Sequence, residues 1–203
     1  MEILEGVSED LMVLEFLKAE IKSKNPDHNI QEMIHCALRH LGKNEEIIFS
    51  GNIHDGQNEE RNKVLEYRGY RKDAGIFRNF PQKIQWYLVK LDKQDFKRIK
   101  YINQPKWNEL SSNTRLLTEA AKKILNSDNK EKYQNYFDGA EYLRNGNDFP
   151  LPIIITDGQK MTILEGHNRL TIYAIEQHCW QYVKAIVGCC NTPEFNNWDR
   201  NCF

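Results

Sequence analysis

The residues best placed to do chemistry form one short run, Glu165-Gly166-His167-Asn168-Arg169. Residues 160–164 before it read as a strand, and Leu170-Thr171-Ile172-Tyr173-Ala174-Ile175 after it reads as a helix. A strand that runs through a glycine into a helix is a physical recipe for holding an anion. The first N–H groups of a helix lack intrahelical partners, and the macrodipole makes that end positive. Gly166 permits a close backbone approach or an unusual φ. Arg169 lies about one turn in, where a planar guanidinium can grip two phosphate oxygens. His167 and Asn168 add donors beside it. Glu165, just before the turn, is placed to help hold a metal ion or to act as a base. A plainer account fits the same spacing: Gly166 is only a tight turn, Arg169 a surface ion pair and His167 a satisfied polar residue. Spacing alone leaves both open.

The elements that must position this run are legible around it. Ile153-Ile154-Ile155-Thr156 reads as a short buried strand and Asp157-Gly158 as a two-residue hairpin turn leading into the returning strand. Residues 183–187 supply another strand, and so does the stretch in which Ile84, Trp86 and Leu88 alternate with Gln85 and Tyr87. Asp92 caps a short helix over residues 94–100, and residues 101–107 read as a connection containing Pro105. Ser112 or Asn113 caps a helix with Leu116, Leu117, Ala120, Ile124 and Leu125 inward. Arg115, near the start of that helix, is a second phosphate contact or an ordinary helix-surface arginine. A Tyr-rich helix spans residues 130–144. The first third is helical in pattern. Ser8 caps a helix carrying Leu11, Leu14, Leu17 and Ile21, Asn25-Pro26-Asp27 breaks it, and Asn29 opens a second one. A polar helix over residues 58–68 closes at Gly69.

A chain of 203 residues with 40% hydrophobic composition can bury a core without disulfides or metals as staples. No apolar run approaches the roughly 20 residues that cross a bilayer, so no membrane partner is expected. The start, Met1-Glu2-Ile3-Leu4-Glu5, is unlike a secretory signal, and five cysteines do not form a paired framework, so a reduced cytoplasm is the default. Cys189 and Cys190 read as buried or half-buried thiols. The net charge of −1 hides an uneven distribution. Residues 1–60 hold 5 Lys+Arg against 13 Asp+Glu, a net of −8, whereas residues 61–123 hold 16 against 6, a net of +10. That basic third either attracts phosphates of a nucleotide, a nucleic acid or an acidic protein, or folds against the acidic first third.

The stretch 153–175, with its Asp-Gly turn, hydrophobic strand and Gly166-His167-Asn168-Arg169 box, resembles the hairpin-plus-helix core of the ParB/sulfiredoxin superfamily. The resemblance is strong over about 25 residues and loose over residues 84–203. It implies a turn that binds the phosphates of ATP or CTP. The strings Gly69-Tyr70-Arg71, Phe77-Arg78-Asn79-Phe80-Pro81, Trp107-Asn108-Glu109-Leu110-Ser111 and Asn113-Thr114-Arg115-Leu116, with the 164–171 segment, resemble uncharacterised bacterial proteins with ParB-like ends, which lend no activity. His167 stands where sulfiredoxins carry a catalytic Cys, which argues against sulfinic acid repair. About 30 residues follow the box, so the sequence-specific site binding that a following helix-turn-helix region gives partition clamps is not expected.

These readings together predict an α+β protein: a mainly helical segment over residues 1–80, then a ParB/sulfiredoxin-like small mixed sheet with helices over residues 81–203. The expected function is binding of ATP or CTP with Mg²⁺, as a phosphotransferase or nucleotide hydrolase. Gly166, His167, Asn168, Arg169 and Arg115 would hold the nucleotide, and Glu165 and His167 would be catalytic. No residue set reads as a metal site of the protein's own. The alternative is a non-catalytic nucleic-acid-binding or protein-interaction module on the same fold.

Overall fold

The computed structural model describes residues 1–22 and 29–201. The expected break at Asn25-Pro26-Asp27 lies outside the described residues. The architecture is mixed α+β, with a six-stranded mixed sheet and ten α-helices among the described residues.

The strands are β1 (Glu2–Val7), β2 (Gln85–Leu91), β3 (Ile99–Lys100), β4 (Ile153–Thr156), β5 (Met161–Glu165) and β6 (Val183–Cys189), in the spatial order β1-β2-β6-β4-β5-β3. Neighbours β1/β2, β2/β6 and β4/β5 are antiparallel, and β4/β6 and β3/β5 are parallel. β4 is buried at every position, as its unbroken Ile-Ile-Ile-Thr run requires of a strand covered on both faces. β1 is the reverse: an edge strand, mostly exposed, that the helical reading of residues 1–80 did not include.

The β4–β5 connection is four residues long, since Thr156 pairs with Met161. The expected two-residue turn at Asp157-Gly158 gives way to a side-chain-built loop. Asp157 Oδ1 accepts from the amides of Gln159 (3.0 Å) and Lys160 (2.7 Å), and Thr156 Oγ1 donates to the Lys160 carbonyl at 2.6 Å. An Asp here supplies the acceptors that a tight backbone turn would otherwise provide.

The helices of the first third are α1 (Glu9–Ile21), α2 (Ile30–His40), α3 (Glu46–Phe49) and α4 (Asn58–Leu65). Ser8 caps α1 as expected, its side chain accepting from the Leu11 amide at 3.3 Å. After α4 one 3₁₀ turn, Glu66–Arg68, ends at Gly69. Next come α5 (Lys93–Phe96), α6 (Pro105–Leu110), α7 (Leu117–Leu125) and α8 (Gln134–Arg144). Asp92 and Asp95 form a reciprocal capping box on α5. α7 begins at Leu117, not beside Ser112, because Ser112, Asn113 and Arg115 all take positive φ (53°, 63° and 62°) and cannot be helical. The chain continues through α9 (His167–Ile175) to α10 (Thr192–Asp199). One contiguous hydrophobic core joins Met12, Phe16 and Leu65 from the first third to Ile155, Ile163 and Trp198 near the end. The helices of the first third therefore share one core with the sheet.

Candidate functional site

The turn from β5 into α9 depends on Gly166. Its φ of +95° is left-handed, and a Cβ there would lie 2.8 Å from Pro152 Cβ and 3.0 Å from Pro152 Cα. Only glycine meets both conditions. Having no side chain, it also leaves α9 without a side-chain cap, so the amides of the first turn receive no capping oxygen. The rest of α9 is anchored: every residue from Leu170 to Ile175 is buried, and Tyr101 Oη lies 2.6 Å from Thr171 Oγ1. The positive end of the helix is therefore held in a fixed place.

Arg169, near the end of that first turn, is already partnered. Its guanidinium forms an ion pair with Glu165 and donates to the carbonyls of Pro150 (2.8 Å) and Leu151 (3.2 Å). Burial pulls its pKa down to about 10, which still leaves it charged at neutral pH. Asn168 is exposed and its Oδ1 accepts from Tyr136 Oη at 3.0 Å.

His167 lies against two other rings. Its imidazole stacks on Trp107 with centroids 4.8 Å apart and 9° between planes, and Trp107 stacks on Tyr101 at 4.9 Å and 1°. Its Nε2 is shut away from solvent without a hydrogen-bond partner among the described residues. Burial, then the nearby positive charges of Arg68 and Lys106, push its pKa down to about 3, so the ring is neutral at physiological pH. A neutral imidazole can give one hydrogen bond to an anion but adds no charge.

All five residues of the run, Glu165 to Arg169, line one cavity of about 640 Å³. That volume is typical of small-molecule sites. The same cavity is lined by Glu20 of α1, Arg68 of the 3₁₀ turn and Lys106 of α6. None of these three was singled out in sequence. The signals were slight: Gly69 ending a 3₁₀ turn behind Arg68, and Lys106 beside a proline that opens a helix. The apolar part of the wall includes Ile76, Ile102, Phe149 and Ile172.

Arg115, the other expected phosphate contact, is not among the residues that line this cavity. Its Nη1 donates to Asp199 Oδ2 at 3.1 Å, its Nη2 reaches Asp199 Oδ1, and its Nε donates to the Tyr101 carbonyl at 2.8 Å. The left-handed backbone at Arg115 turns the chain so that the guanidinium ties the loop before α7 to the end of α10.

The basic third meets the acidic first third in part: Arg61 pairs with Asp55, Arg71 with Glu59 and Lys90 with Glu2. These pairs offset a part of the +10 within the molecule.

The carboxylates of the cavity do not fit a resident Mg²⁺. Glu20 accepts from Tyr67 Oη at 2.7 Å, Glu165 is tied to Arg169, and no three His, Cys, Asp or Glu side chains come together as a metal set among the described residues. A Mg²⁺ ion here would arrive as the counter-ion of bound phosphates. The two adjacent thiols are half-buried, and burial pushes that of Cys190 up to about 12, which makes it a poor nucleophile at neutral pH. No helix among the described residues is long and apolar enough to cross a membrane. In comparisons with known proteins, no family model, curated protein or solved structure matches this chain.

Proposed function

We propose that the chain binds a nucleotide, ATP or CTP, through its phosphates at the mouth of α9, using a Gly-His-Asn-Arg turn that resembles the phosphate-binding box of the ParB/sulfiredoxin-like fold. One observation carries the reading: the uncapped, positive start of a rigid helix opens into a cavity of about 640 Å³ that Arg68, Lys106 and Arg169 also line. The α9 amides would receive phosphate oxygens, and neutral His167 would give one further hydrogen bond. The apolar wall around Phe149 and Ile76 suits a base or sugar face.

Binding is better supported than turnover. Glu165 sits on Arg169, so its carboxylate is engaged and not free to face a ligand. A phosphate that takes the place of Glu165 on Arg169 would release that carboxylate next to the ligand. Any phosphotransferase or hydrolase chemistry would therefore follow binding, with Glu165 freed by the substrate itself.

Calorimetric titration of ATP and CTP with Mg²⁺ against the wild type and Arg169→Ala tests the reading. Saturable binding below millimolar concentration that Arg169→Ala weakens tenfold or more is expected. An absence of binding at millimolar nucleotide, or equal binding by a folded variant, would remove it.

A further inference from the structure

Arg68 is unusual among the arginines of this protein that are not exposed. Arg61, Arg98, Arg115 and Arg169 all donate hydrogen bonds within the chain. Arg68 donates none among the described residues, and its Nε is buried without a partner. Its one ion-pair neighbour among the described residues is Glu20, whose Oε2 lies 3.6 Å from that Nε, too far for a hydrogen bond. A buried donor left unmade is costly, which makes it a place where a ligand acceptor would be strongly favoured.

The position of Arg68 is built by the chain. The 3₁₀ turn Glu66–Arg68 is stopped by Gly69 at φ +93°, where a Cβ would fall 1.8 Å from the Ala74 carbonyl oxygen. That turn presents Arg68 to the same cavity that the α9 mouth faces. Lys106 joins it from α6, lying over the Trp107 ring at 4.7 Å and making no ion pair among the described residues. Among the described residues four cations line the cavity (Lys22, Arg68, Lys106 and Arg169) against two carboxylates (Glu20 and Glu165), a net of +2 before the α9 dipole is added.

We propose that Arg68, with Lys106, is the second phosphate-holding group of this site, reaching it from residues 1–80, and that the ligand is a nucleoside di- or triphosphate rather than a monophosphate. The proposal rests on the nucleotide reading above. Several cations beside a helix start in one cavity suit a chain of phosphates, whose oxygens can reach the α9 amides together with Arg68 and Lys106. A single phosphate has too few oxygens and too little charge to answer all of them. Glu20 then acts as a competitor, holding Arg68 in place while the site is free of ligand.

Titration of ATP, AMP and inorganic tripolyphosphate against the wild type, Arg68→Gln, Arg68→Lys and Glu20→Gln tests this. ATP and tripolyphosphate should bind at least about tenfold tighter than AMP, as one extra charge-assisted contact allows. Arg68→Gln should weaken both by about tenfold or more and narrow their advantage over AMP, with Arg68→Lys recovering part of the loss. Glu20→Gln, which keeps the acceptor for Tyr67, should tighten binding several-fold, an effect that damage to the fold cannot imitate. Unchanged affinity in a folded Arg68→Gln overturns the proposal and leaves the nucleotide reading intact. If Arg68→Gln does not fold, unchanged affinity in Glu20→Gln overturns it. Wild-type protein that binds none of the three probes overturns both.

Discussion

Glu165 and Arg169 stand four residues apart on either side of Gly166 and are joined by an ion pair that closes the β5–α9 turn on itself. The guanidinium best placed to meet a phosphate is therefore engaged while the site is free of ligand. A charge in this arrangement does not attract anions by itself, because the carboxylate must be displaced first. Glu165→Gln should consequently raise affinity for ATP several-fold and lower thermal stability. Reduced affinity in this variant would show that Glu165 helps to hold the ligand and does not compete with it.

Arg169 also satisfies the carbonyls of Pro150 and Leu151, so its loss strands a carboxylate and two backbone acceptors. Arg169→Met should lower unfolding free energy by about 3 kcal/mol, the scale for breaking a largely buried pair from one side. Urea unfolding with an unchanged m-value checks this. A loss near zero would mean that the pair is solvated and the turn is held by packing alone.

Gly166→Ala combines a left-handed φ with a contact of 2.8 Å to the Pro152 ring. It should destabilise by more than about 1 kcal/mol and tilt the first turn of α9, so that nucleotide affinity falls with it. Urea unfolding and calorimetry on one preparation test the coupling. Wild-type stability would show that the backbone can relax here.

His167 gives the protein an acid-side liability. Its folded-state pKa of about 3 lies below the ordinary value of 6.5, so the unfolded chain binds a proton that the folded one refuses between those values. The contribution to stability is complete above about pH 6.5 and disappears as pH falls toward 3. Over that window wild-type stability should decline more steeply than that of His167→Phe, by up to about 1.4 kcal/mol per pH unit. Parallel stability curves for the two proteins would contradict a neutral, buried imidazole.

Arg115 serves the fold. Arg115→Ala breaks the two-pronged pair with Asp199, whose Oδ1 also accepts from Thr162 Oγ1 at 2.7 Å, so about 2 kcal/mol of stability should be lost. Nucleotide affinity of the folded variant should stay within twofold of wild type. A tenfold loss of affinity would return Arg115 to the site.

Much of this was legible in the sequence where local rules suffice. The caps at Ser8 and Asp92, the buried run of β4 and the strand-glycine-helix passage at Gly166 each announce themselves through a cap, a period or a turn residue. The missed elements are those whose formation is decided by partners. β1 is exposed along most of its length and becomes a strand because β2 offers its edge. α6 begins at Pro105, which reads equally well as a loop, and α10 was passed over although Asn191 caps it and Pro193 sits in its first turn. The site divided in the same way. The run 165–169 is contiguous and could be read, whereas Glu20, Arg68 and Lys106 come together only through tertiary packing. Arg115 was misplaced because three positive φ values around it interrupt what the composition presents as a helix start.

The proposed site stands on phosphate oxygens reaching the first amides of α9. ATP can be titrated into ¹⁵N-labelled wild-type protein while the amide resonances of His167, Asn168 and Arg169 are followed. These three should move first and saturate together, with Arg68 Nε–H responding in the same titration. Saturation that shifts amides elsewhere and leaves these three unmoved would rule the site out.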